Sequence, residues 1–151
     1  MNSMFGEIST DSSGDLLAML THDGKSVKFI ILKSELAATE GLSLASDVAK
    51  DLPNIDAIMK KAAARLLTAN YNDVWREYDE EQADGSFKTI VDPKLTQEAF
   101  VQKLQLQALH VHEHGQLDFY YENQNLFWGH LVCVTTDNGL KLDVRDATLI
   151  G

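Results

Sequence analysis

The chain has 151 residues, 44% hydrophobic and 24% charged, with only two prolines, a make-up that excludes a disordered polymer and suits a single domain over residues 1–151. Thirteen basic residues face 23 acidic ones, a formal balance of −10, so the mean field repels phosphate backbones and anionic headgroups: nucleic acid and membrane drop out as expected partners, and a basic protein partner remains. No stretch of about 18 apolar residues and no leader-like n-region in residues 1–13 occurs, and the sole cysteine, Cys133, permits no intramolecular disulfide, so the expected setting is the cytoplasm.

In chain order, Asp23-Gly24 is a two-residue reversal that joins a strand from Leu16 to Thr21 to one from Val27 to Leu32. A short helix from about Ser43 to Lys50 follows, with Ser43 as its N-cap. Ile55, Met59, Ala62, Leu66 and Ala69 then recur at helical spacing, with Pro53 in the first turn and the pattern running on to Trp75 and Tyr78. The acidic stretch from Asp79 to Lys88, holding Gly85, reads as an exposed loop. Thr96 caps a further helix, with Leu95 and Phe100 placed as a hydrophobic staple.

Two more hairpins close the chain. His114-Gly115 joins Leu106 to His112 with Leu117 to Tyr121, in a register that pairs Glu113 with Gln116, His112 with Leu117 and His110 with Phe119. Asn138-Gly139 joins Leu131 to Thr136 with Leu140 to Val144. Strands, then helices, then strands predict an α+β fold: an antiparallel β-sheet with β-hairpins at both ends of the chain and a central group of helices packed on one face.

Chemistry could reside in His110-Val111-His112-Glu113-His114, because imidazoles two residues apart share one strand face and ligate transition metals. The hairpin moves His114 into the turn, which leaves His110 and His112 among Leu117, Phe119 and Tyr121, a setting for packing more than for coordination. His130 is the leading further metal ligand and His22 a poor one. Leu126-Phe127-Trp128-Gly129-His130 is the second cluster; alternation places Trp128, His130, Val132 and Val134 on one face and Leu131, Cys133 and Thr135 on the other, better buried face.

As binding residues the sequence nominates Trp128, His130, Tyr120 and Asp118, with Asp118, Asp143 and Asp146 as groups that could orient an imidazole. No phosphate loop, nucleophile elbow, H-E-x-x-H or C-x-x-C motif is present, so no catalytic residue and no cofactor are assigned.

Asn72, Trp75, Phe100, Leu104, Gly115, Phe127-Trp128-Gly129-His130 and Gly151 together resemble a bacterial family catalogued as domain of unknown function 2262, over about half to two thirds of the chain. That resemblance implies no activity or cofactor. The functional expectation is a non-enzymatic cytoplasmic binding module, with an immunity-like inhibitor of a basic toxin as one form. The alternative is a small hydrolase or metal-binding protein using His130 with His110 or His112.

Overall fold

A computed structural model of the protein describes residue 5, residues 7–32 and residues 38–151. Parts of the N-terminal segment read above as carrying no leader lie outside the described residues. Strand β1 (Ser9–Thr10) lies along β2 (Leu16–His22), which reverses through Asp23 and Gly24 into β3 (Lys25–Ile31). Both turn residues have positive φ (52° and 72°), the conformation that the Asp-Gly pair supplies in a tight hairpin.

Helix α1 (Ala38–Lys50) starts before the expected position, so Ser43 lies inside it and is not its cap. Gly41 inside this helix lies close against β3: a Cβ there would come within 2.7 Å of Ile31 Cγ2. Helix α2 (Leu52–Asn70) buries Leu52, Ile55, Met59, Ala63 and Leu67, while Leu66 and Ala69 of the expected stripe face solvent. A π-helical turn (Tyr71–Trp75) extends it and buries Tyr71.

Where a loop was expected, β4 (Glu77–Glu81) pairs with β5 (Phe87–Val91) in a separate two-stranded arm. Neither face of the arm is deeply buried, so the segment shows no apolar period. The helix α3 (Gln97–Gln102) is capped as expected, Thr96 Oγ1 accepting from the Ala99 amide at 3.1 Å, with Phe100 fully buried and Leu95 packed on the core.

β6 (Gln105–Val111), β7 (Leu117–Glu122), β8 (Leu131–Asp137) and β9 (Asp143–Ile150) complete a seven-stranded sheet in the order β1-β2-β3-β6-β7-β8-β9. Every neighbouring pair is antiparallel except β3 and β6, which run parallel because the helical section carries the chain back to the end where β3 began.

Two registers differ from expectation. His110 lies opposite Asp118, and Phe119 opposite Leu109, because residues 113–115 form a 3₁₀ turn with His114 and Gly115 at φ 59° and 78°. The one-residue slip moves His110 to the other face of the sheet. The last reversal likewise runs from Asn138 to Leu142, so β9 begins at Asp143 and continues to Ile150.

The helices cover the face that carries Val27, Phe29, Leu109, Phe119, Val132 and Val134, all fully buried. Leu131, Cys133 and Thr135 lie on the opposite face, so the expected order of burial is reversed, although Cys133 and Thr135 are themselves buried. Among the described residues, no helix is long and apolar enough to cross a membrane.

Candidate functional site

Between β7 and β8 the chain takes no tight turn but loops through residues 123–130, so Trp128 and His130 stand outside the strand that alternation had assigned them to. Gln124, Asn125, Trp128 and Gly129 have φ of 52°, 63°, 55° and 92°. The buried Asn123 side chain closes the loop by donating to the His130 carbonyl at 2.7 Å. Phe127 points inward and packs edge-on to Tyr71, Trp75 and Phe100 at centroid distances of 5.8, 5.5 and 6.0 Å.

With Phe127 anchored, Trp128 is turned outward and is 51% exposed. A left-handed backbone at a bulky residue costs on the order of 1–2 kcal/mol, and such strain concentrates at binding surfaces. The indole is held by Trp75, at 4.7 Å and 65° between rings, and donates from Nε1 to the Trp75 carbonyl at 3.2 Å. Tyr78 completes the row at 6.5 Å from Trp128, and the half-buried His130 ring sits 5.9 Å from Trp75.

These three aromatics line a groove with Asp79, Asp92 and Asn125. Asp79 accepts from the Thr89 hydroxyl at 2.8 Å, and the Arg76 guanidinium is engaged by the carbonyls of Asn72 and Asp92. Among the described residues, no cation forms an ion pair with Glu77, Asp79, Glu80, Glu81 or Asp92. Desolvation, and then the charge of Asp92 and that of Glu80, push the Tyr78 phenol above its ordinary pKa. The groove is therefore aromatic, negatively charged and open to a cation.

Tyr120 and Asp118, nominated together with Trp128 and His130, lie elsewhere, on the sheet face that turns away from the helices. There His112 Nε2 and Asp118 Oδ2 are 2.6 Å apart, and Asp118 Oδ1 accepts from the Thr135 hydroxyl at 2.6 Å. His110 stacks obliquely on Tyr120 at 4.5 Å and stands 6.3 Å from His112. His130 precedes Thr135 by five strand-like steps, roughly 16 Å, so it does not share this cluster. Burial, then His112, lowers the His110 pKa. Burial also pushes Cys133 up to about 11 and Tyr120 up to about 12, so thiol and phenol remain protonated near neutrality and act as hydrogen-bonding groups.

Sequence reasoning missed a third group, buried between α2 and the sheet. Asp56 accepts from the Tyr121 hydroxyl at 2.7 Å, lies 2.8 Å from His22 Nε2 and 3.3 Å from the Lys60 ammonium. With Asp23, His22 and Asp56 bring three potential metal-ligating atoms within 4.8 Å of one another, the one such group among the described residues. His22, read as a poor ligand, thus has the convergent carboxylates that His110, His112 and His130 lack. Lys60 already supplies a cation to Asp56, and its four-residue offset along α2 was the available signal.

A family model described as an uncharacterized protein conserved in bacteria (DUF2262) matches residues 2–146. The chain belongs to that family. The match takes in the N-terminal hairpin and the early helices, well beyond the C-terminal portion on which the resemblance rested, and stops short of Gly151. No curated protein and no solved structure matches.

Proposed function

We propose that the protein is a non-enzymatic cytoplasmic binding module whose working surface is the groove of Trp75, Tyr78 and Trp128 with Asp79 and Asp92, and that it takes an arginine-bearing segment of a basic protein. The observation that carries this reading is Trp128, displayed on a strained backbone beside carboxylates that form no ion pair among the described residues. Trp75 and Trp128 are in ring contact, leaving no gap for an ammonium to be caged between them. A planar guanidinium can instead stack on the outer face of Trp128 while a carboxylate accepts its N–H groups. An immunity-like inhibitor covering a basic protein is the form that the net charge favours.

The test is capture from a bacterial lysate at low and high salt, comparing the wild-type chain with Trp128→Ala and with Asp79→Asn/Asp92→Asn. A partner held by this groove is retained at low salt, released as the Debye length falls toward about 3 Å near 1 M salt, and lost in both variants. A partner captured equally by all three chains overturns the proposal.

A further inference from the structure

We propose that the groove between α2 and α3 is a second binding site, for a small anionic amphiphile: an acyl or aryl body that carries one carboxylate. Its floor is apolar, made by the buried Ala62 and Ala64 of α2 with Val101 of α3 and Val144 of β9, and Ile58 stands at the mouth, 44% exposed. Alanine at both α2 positions leaves a hollow of about 680 Å³, within the ~300–1,000 Å³ typical of small-molecule sites.

Charge selects the occupant. Lys61 and Arg65 line the α2 wall one helical turn apart, about 6 Å between Cβ atoms, close enough to hold one carboxylate between them. Neither cation forms an ion pair or hydrogen bond among the described residues, although acids outnumber bases by ten (23 − 13) along the chain. On the far wall Glu98 stands with Gln97 and Gln102, so the lining carries a net +1, which suits a single anionic head and opposes a second. The α3 wall is six residues, about 9 Å, long, too short to seat a helical partner. This site shares no residue with the Trp128 groove and stands independently of the reading given to it.

Calorimetric titration of the full chain with decanoate below its micellar range and decanol below its solubility limit tests the proposal. Decanoate should saturate at one equivalent and shift the methyl resonances of Ala62, Val101 and Val144, with decanol at least about tenfold weaker. Lys61→Gln/Arg65→Gln should lower decanoate affinity about tenfold or more, and Ile58→Glu at the mouth should do the same. All three positions are exposed, so circular dichroism should show an unchanged fold, and Trp128→Ala should bind decanoate normally. Absence of saturable binding, equal affinity for decanol, or undiminished affinity in the double variant overturns the assignment.

Discussion

Replacing Asp56 by alanine removes the one acceptor on which three elements converge. The Tyr121 hydroxyl, fully buried, would lose its 2.7 Å partner with no access to water, at a cost of about 1–3 kcal/mol. His22, 8% exposed, would lose its 2.8 Å partner at a similar cost of about 1–3 kcal/mol. Lys60 can swing outward and adds little. The sum, about 2–6 kcal/mol, brackets the usual penalty of about 3–5 kcal/mol for removing one member of a buried ionic cluster. At this chain length each kcal/mol moves Tm by about 2–4 °C, so Asp56→Ala should melt on the order of 10 °C lower. Tyr121→Phe, which deletes one donor, should cost about 1–2 kcal/mol, and the double variant should cost less than the sum because no hydroxyl is then stranded. Urea unfolding followed by tryptophan fluorescence measures all three. An Asp56→Ala midpoint within about 1 kcal/mol of wild type, or strict additivity, would refute the reasoning.

Glycine substitutions separate backbone strain from collision. Gly115→Ala combines a φ of 78° with a Cβ 2.8 Å from the Gly139 backbone nitrogen and should cost more than about 2 kcal/mol, whereas Gly24→Ala meets nothing within 4 Å and should cost about 1 kcal/mol by thermal melting. Thr136 Oγ1 is buried without a hydrogen-bond partner among the described residues, so Thr136→Val should raise stability by about 1 kcal/mol and Tm by about 2–4 °C. In alkali, burial holds Cys133 at about 11 and Tyr120 at about 12, against ordinary values of 9.0 and 10.0. The unfolded chain releases those protons first, so stability is full below pH 9 and declines as pH rises toward 12. Tyr120→Phe should flatten the decline above pH 10, and a flat wild-type profile there would contradict the burial.

Local chemistry was legible in the sequence wherever a short segment determines its own geometry. Asp23-Gly24 and the Thr96 cap with its Leu95 and Phe100 staple act within a few residues, and each stands where expected. Register was not legible, because His114 and Gly115 can close either a two-residue or a longer reversal, and the choice moves His110 from one face to the other. The β4–β5 arm carries the same signal as the first hairpin, in Asp84-Gly85, but its acidic strands mask the alternation. Half of the groove is hidden in consequence: Trp128 stands out in the sequence, while Asp79 reads as part of a loop and Asp92 carries no local signal. The Asp56 network depends on contacts between residues 34 and 65 positions apart, a separation at which no sequence pattern operates.

The most direct measurement is a chemical-shift titration of the labelled protein with a triarginine peptide, run beside trilysine. The indole N–H of Trp128 and the backbone of Trp75, Tyr78, Asp79 and Asp92 should shift together and saturate, with triarginine the tighter ligand. Shifts centred instead on His110, Asp118 and Tyr120, or equal and unsaturable effects of both peptides, would contradict the assignment of the groove as the working surface.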